Sequence, residues 1–223
     1  MKLKQINSWD LTPAEAVRVQ RELAGRIRGG QLPRVRSVMG LDVSYRKQNG
    51  TFTASVVLLS LPGFDLLDSR CRTGKTPFPY VPGLLSFREI PPLLPILEEA
   101  PAPDIIIVDG HGIAHPRGFG LASHIGLITR VPTIGCAKSR LAGQCTEPGP
   151  EPGDNTAIIL RGKTAGYALR SRRRCKPLYI SPGHMLDPEE ALKGITMCLK
   201  GYRLPEPTRL ADKLSKGKGE FES

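Results

Sequence analysis

Asp42 and Asp109 each break or close an apolar run, and with Glu89 they are the residues whose chemistry stands out in this chain. Asp42 lies within Val38–Tyr45, where Met39, Leu41, Val43 and Tyr45 alternate with Gly40, Asp42 and Ser44, the period of a strand. A carboxylate inside such a strand is paired, hydrated or metal-bound, because a bare buried charge is costly; an edge position facing water is the plain alternative. Asp109 closes the run Ile105–Val108 and precedes Gly110. The carboxyl ends of strands are where α/β sheets gather ligands, although an Asp-Gly pair is also a common turn former. Glu89, in the segment Leu84–Glu89, falls on an expected helix, where a surface glutamate is commonplace. Taken together, the three are oxygen donors of the kind Mg²⁺ or Mn²⁺ prefers. Such an ion activates water and stabilises the leaving oxygen in phosphodiester cleavage.

Other residues offer weaker signals. His111 and His115 form a possible zinc pair, but no third or fourth ligand accompanies them. The five cysteines, Cys71, Cys136, Cys145, Cys175 and Cys198, are odd in number and contain no C-x-x-C pair, which argues for reduced thiols in a cytosolic or nuclear compartment. Thirty-two Lys and Arg against twenty-one Asp and Glu leave a formal charge of +11, a field that concentrates polyanions. Arg170–Lys176 places five cationic side chains in seven positions, suited either to a phosphate backbone or to a solvated turn.

A longer pattern narrows the choice. The segment Asp109-Gly-His-Gly-Ile-Ala-His-Pro-Arg-Gly-Phe-Gly-Leu-Ala-Ser-His-Ile-Gly126 closely resembles the central motif of the endonuclease V family. In the same order, Gly40–Tyr45, Pro79–Glu89, Gly135–Ser139, Tyr179–His184 and Arg203–Ala211 resemble further family segments, so the likeness spans about residues 35 to 212.

The resemblance implies a ribonuclease H-like fold and a metal-dependent nick at the second phosphodiester bond on the 3′ side of deoxyinosine. It leaves 3′-hydroxyl and 5′-phosphate ends. Carried over, Asp42, Glu89 and Asp109 become ligands for Mg²⁺, with Mn²⁺ able to substitute, and Asp212 a weaker match to a further polar neighbour of the metal. Lys138 would offset charge at the scissile phosphate, and His115 would position groups or transfer a proton. Pro79, Tyr80, Val81 and Pro82 match the family's wedge, a stiff segment whose ring fills the gap left by an extruded base. Gly83, Leu85, Gly112 and Leu121 would line the pocket for the flipped hypoxanthine, where glycine permits close backbone approach. His111 stands where some relatives carry Gln, a departure that bears on pocket contacts. Arg172, Arg173 and Arg174 are the expected contacts to the DNA backbone. Inosine in RNA is the alternative substrate, and a non-catalytic nucleic-acid-binding relative the weaker alternative function.

The elements that must position these groups are also readable. Thr12-Pro-Ala-Glu15 forms a capping box opening a helix over 13–28, with Ala16, Val19, Leu23 and Ile27 on one face and Gly29-Gly30 as its stop. Strands are expected at 38–45, 51–60 and 65–72, with Gln48-Asn49-Gly50 as a hairpin turn. A helix over 84–99, interrupted at Pro91-Pro92, leads into a buried parallel strand ending at Asp109. A helix near 119–130, strands at 133–136, 156–161 and 166–170, and a loop at 146–155 follow. Asp187-Pro-Glu-Glu190 repeats the capping-box logic and opens a helix to about Lys200. Three antiparallel strands followed by alternating helices and strands predict one α/β domain over residues 1–223, a mixed sheet flanked by helices, with 213–223 as a frayed tail. No run approaches the ~20 apolar residues of a membrane span, and the N-terminus lacks a signal core. A cytoplasmic monomer without membrane contact is the expectation.

Overall fold

From Met39 onward every second residue of strand β1 (Ser37–Tyr45) is apolar, yet both faces of the strand are covered, and that fact organises the molecule. The computed structural model describes residues 1–46, 50–76 and 78–217. The other elements are α1 (Pro13–Ala24), β2 (Thr51–Ser60), β3 (Leu66–Lys75), α2 (Leu85–Glu99), β4 (Ile105–Val108), α3 (Leu121–Thr129), β5 (Thr133–Ala137), β6 (Asn155–Leu160), β7 (Lys163–Leu169), β8 (Leu178–His184), α4 (Pro188–Met197) and α5 (Glu206–Ser215). Eight strands form one mixed sheet in the order β3-β2-β1-β4-β5-β8-β7-β6. β1, β4 and β5 run parallel at its centre, and the β1–β2–β3 meander and the β8–β7–β6 strands flank them antiparallel. This is the expected α/β architecture with a ribonuclease H-like mixed sheet.

Helices cover both faces, which is why the central strands read as nearly unbroken apolar runs. Met39, Leu41, Ile106 and Val108 meet Ile90, Leu93, Leu97 and Ile125 of α2 and α3 on one face. Val38, Ile105, Ile107 and Ile134 meet Ala191, Ile195 and Ala211 of α4 and α5 on the other. Asp42 and Ser44, on the polar side of β1, therefore face α5, and the water-facing edge position is excluded because β1 lies between β2 and β4. Gly40 makes this possible: a Cβ there would come within 2.2 Å of the Pro207 carbonyl, so only glycine lets the start of α5 lie against β1.

Several expectations need correction. α1 keeps its capping box, with the Glu15 carboxylate accepting from Thr12 N at 2.8 Å, but ends at Ala24 with Gly25 as C-cap, before Ile27. Glycine is a poor helix residue, and the chain leaves through short i→i+3 turns at Arg26 and Ile27. α2 is continuous through Pro91, Pro92 and Pro95. Pro92 cannot donate to the Arg88 carbonyl, and that oxygen instead accepts from Tyr45 Oη at 3.1 Å and Thr76 Oγ1 at 3.5 Å. At α4 no side-chain cap forms. Asp187 and Glu190 turn away to accept from the Gly30 and Leu32 amides at 3.2 and 3.1 Å, and the helix stops at Met197. The expected tail is helical as far as Ser215, within α5, while residues 218–223 lie outside the described residues, as do 48 and 49 of the expected hairpin turn. β8 is absent from the expected strands; it carries Pro182 beside a register shift opposite Thr133/Ile134, the irregular setting in which a strand tolerates proline.

Candidate active site

Asp42 comes from the middle of β1, Asp109 from the residue after β4, and Asp212 from α5. The topology brings them together: β1 and β4 are parallel neighbours, and α5 packs across β1. One carboxylate oxygen from each lies within 4.8 Å of the others. Glu89, from the first turns of α2, lines the same cavity of about 230 Å³ as Asp42 and Asp109. The three carboxylates singled out in the sequence, Asp42, Glu89 and Asp109, thus meet at one site. Asp212, the weaker match to the family pattern, joins Asp42 and Asp109 in the oxygen cluster, and Glu89 joins Asp42 and Asp109 in the cavity wall.

Crowding of like charge sets the electrostatics. Burial raises the Asp42 pKa, the Asp109 and Asp212 charges add to it, and a hydrogen bond from Ser215 and the charge of Lys138 act against it. Glu89 is raised well above the ordinary glutamate value, chiefly by burial and then by Asp42 and Asp109. Lys138 follows β5; its Nζ sits 2.5 Å from Asp109 Oδ2 and 3.6 Å from Asp212 Oδ1. Burial opposes its ammonium, but the pull of Asp109, Asp212 and Asp42 outweighs that and raises its pKa. A carboxylate-only donor set fits a hard divalent cation rather than zinc.

A second cavity of about 280 Å³ adjoins the first, and the two share Leu85, Asp109 and Leu121. Its wall includes Tyr80, Val81, Pro82 and Gly83 on one side and His111, Lys138 and Leu141 on the other. Tyr80 is 71% exposed at the rim. Pro82 and Gly83 occupy the centre of a turn closed by Leu84 N donating to the Val81 carbonyl at 2.9 Å, with Gly83 at φ +78°, the signature of a type II turn.

Of the four residues expected to line a base pocket, Gly83, Leu85 and Leu121 line this second cavity. Gly112 lies behind the wall, its amide donating to Ser181 Oγ at 2.8 Å and its carbonyl accepting from Gly120 N at 3.0 Å. His115 is almost fully buried; its Nε2 meets the Gly83 carbonyl at 3.1 Å and its Nδ1 accepts from the Arg117 amide at 3.2 Å. Burial and the Arg117 charge hold its pKa down to about 4, so the ring is neutral near pH 7 and both nitrogens are engaged. His111 lines the cavity, with burial lowering its pKa to about 4.

The basic turn between β7 and β8 is divided in its commitments. Arg170 binds Glu147 at 2.8 Å, and Arg173 binds Glu151 at 2.5 Å, while Arg172 and Arg174 are exposed. Arg203 ties this region to the site, since its Nη2 donates to the carbonyls of Lys138 and Pro177, each at 3.2 Å. Among the described residues no helix is long and apolar enough to cross a membrane, and all five cysteines are unbridged.

Known proteins match this arrangement. The family model for endonuclease V fits residues 21–213. The chain belongs to the endonuclease V family. It is therefore a nuclease, and the ribonuclease H-like fold follows with it. The endonuclease V of Gloeobacter violaceus is 46% identical over 215 residues, covering 94% of this chain and 87% of its own. The crystal structure of endonuclease V from Streptomyces avermitilis superposes with a TM-score of 0.87 at 38% identity, covering 97% of each chain. A third relative, an endonuclease V variant from Ciona intestinalis, has a TM-score of 0.82 at 30% identity and covers 93% of this chain and 98% of that one. It was solved in complex with a 23-mer DNA containing an inosine followed by a ribo-adenosine.

Proposed function

We propose that this endonuclease recognises deoxyinosine in damaged DNA and hydrolyses the second phosphodiester bond on its 3′ side, leaving 3′-hydroxyl and 5′-phosphate ends. The observation that carries the reading is the junction of two cavities at Asp109: a cluster of carboxylates on one side, a base-sized recess with a projecting tyrosine on the other. The inosine-containing DNA held by the Ciona relative supports the same substrate class.

Asp42, Asp109 and Asp212, with Glu89 in the same cavity, would hold Mg²⁺, and Mn²⁺ in its place. The bound ion supplies a Lewis acid and an activated water. Lys138 offsets negative charge on the phosphate as it builds, which is worth most in a desolvated site. Tyr80, held by Pro79, Val81 and Pro82, enters the gap vacated by the lesion, and an inosine leaves the stack at less cost than a well-paired base. Gly83, Leu85 and Leu121 then receive the hypoxanthine, while Gly112 shapes the wall from behind. His115 acts by position, fixing the Gly83 carbonyl, because neither ring nitrogen is left to move a proton. Arg172 and Arg174, with Arg173 to a lesser degree, bind the phosphate backbone.

The test is a labelled duplex carrying one deoxyinosine, incubated with Mg²⁺, Mn²⁺ or EDTA. A metal-dependent nick at the second phosphodiester bond 3′ to the lesion supports the proposal. Cleavage of inosine in RNA, with deoxyinosine left intact, would replace the substrate. Cleavage of neither, or an undiminished nick in EDTA, would overturn the mechanism.

A further inference from the structure

Gln20 is the most deeply buried polar residue of α1, 1% exposed, and nothing in the helix periodicity explains why an amide should be there. Its partners do. Nε2 donates to the carbonyl of Gly83 and to that of Phe119, both at 3.0 Å, while Oε1 accepts from Arg117 Nε at 2.5 Å. Both amide protons and the oxygen are thus committed, so the amide has one workable orientation. The Gly83 carbonyl also receives Arg117 Nη2 at 2.6 Å and His115 Nε2 at 3.1 Å. Three donors from two separate parts of the chain converge on one backbone oxygen. At the other end of the same segment, Arg88 Nη1 donates to the Phe78 carbonyl at 3.1 Å. Between these anchors, Tyr80 is the large apolar side chain that projects into solvent.

We propose that Gln20, together with Arg117, is a positioning residue that locks the Gly83 carbonyl and so sets the angle at which Tyr80 is presented to the duplex. The inference rests on the wedge reading of Tyr80 given above. A turn with proline and glycine at its centre has a defined shape but can swing as a unit about its ends. Fixing the carbonyl of Gly83 removes that swing. The clamp touches no reacting atom, so it acts on extrusion of the base rather than on bond cleavage. A substrate whose lesion is already unpaired needs no extrusion and depends on the clamp only through the recess that Gln20 and Gly83 line.

The experiment compares kcat/KM for a deoxyinosine duplex with that for the same strand alone, in Gln20→Met, Gln20→Glu and Tyr80→Ala. Gln20→Met keeps the volume and removes every hydrogen bond; Gln20→Glu keeps the Arg117 acceptor and turns a carboxylate oxygen towards two carbonyls. Both should lose about tenfold more on the duplex than on the single strand, within the cost of misplacing a group remote from the chemistry. Hydrogen exchange gives a readout independent of turnover. The Leu84 amide, bonded to the Val81 carbonyl, should exchange faster in both Gln20 variants while amides of β1 and β4 do not. If Tyr80→Ala loses on the duplex but the Gln20 variants lose equally on both substrates, or leave Leu84 exchange unchanged, the clamp is overturned and the wedge stands. If Tyr80→Ala also affects both substrates equally, the wedge reading fails and the clamp falls with it.

Discussion

Ser215 Oγ donates a 2.5 Å hydrogen bond to Asp42 Oδ2, joining the last turn of α5 to the middle of β1. The bond is one of two between these elements, since Ser44 Oγ donates to the Ser215 carbonyl at 2.7 Å. It fixes one oxygen of Asp42 and favours the charged carboxylate, against burial and two neighbouring aspartates. The same helix delivers Asp212, so α5 both supplies a carboxylate and orients another.

Ser215→Ala should therefore weaken Mn²⁺ binding by about tenfold, the lower end of what loss of a ligand-orienting partner costs. The sign of the accompanying pH effect follows from the bond. Without the donor the Asp42 pKa rises further, so the acid limit of Mn²⁺ binding shifts to higher pH. Calorimetric titration at two pH values reads both effects. An unchanged affinity and an unchanged acid limit would show that Asp42 is oriented without Ser215.

Glu89 predicts a conflict between stability and activity. Its pKa is raised in the folded chain, so above about pH 4.5 the native state binds more protons there than the unfolded state does. Stability of the metal-free protein then declines as pH rises through that window. Glu89→Gln removes the charge and should raise the melting temperature in EDTA at pH 7.5, with the gain shrinking towards pH 4.5. The same variant should lose at least about a hundredfold in cleavage rate if Glu89 holds the metal as proposed. A variant no more stable than the parent in EDTA at pH 7.5 would contradict the account of crowding.

His124 carries the opposite sign. It is fully buried among Trp9, Phe87 and Phe119, its Nε2 2.8 Å from Asn7 Oδ1, and burial lowers its pKa to about 3. In the unfolded chain a histidine takes up its proton near pH 6.5. The unfolded state gains protons first as pH falls, so stability drops from about pH 6.5 downward towards 3. His111 and His115 contribute the same trend. His124→Phe should lose less of its melting temperature than the parent between pH 7.5 and 5.5. Equal losses would mean that His124 does not carry the acid sensitivity.

The legible parts of the fold are those with a strong period. Alternation in β1 and the apolar run of β4 follow from burial on both faces, and they carry Asp42 and Asp109 with them. What escapes has a local signal opposed to its tertiary setting. Proline within β8 argues against a strand, and only the register shift reconciles it. The Lys-, Gly- and Ser-rich end hides α5, although Pro207, Leu210, Ala211 and Leu214 hold a helical spacing that marks its buried face. Gln20 gives no signal because an amide on a helix is ordinary until its partners, Gly83, Phe119 and Arg117, are known. Asp187 and Glu190 show the reverse error: a true helix start whose capping side chains serve the neighbouring segment instead.

The basic turn allows a graded prediction. Arg173 is held by Glu151 at distances from 2.5 to 3.1 Å, while Arg172 and Arg174 stand exposed beside it. A guanidinium already paired has less charge to offer a phosphate, and taking one cation away from the phosphates reduces the salt slope of duplex binding by roughly 0.9. Arg172→Ala and Arg174→Ala should each flatten the slope by about that amount and weaken binding several-fold at moderate salt. Arg173→Ala should do less, and Glu151→Gln, by releasing Arg173, should tighten binding and steepen the slope. Fluorescence anisotropy of a labelled deoxyinosine duplex in Ca²⁺, across a series of salt concentrations, measures all of these variants. If Arg172→Ala and Arg174→Ala leave both affinity and slope unchanged, the turn is a solvated hairpin held by its own ion pairs, and the backbone path must run elsewhere on the basic surface.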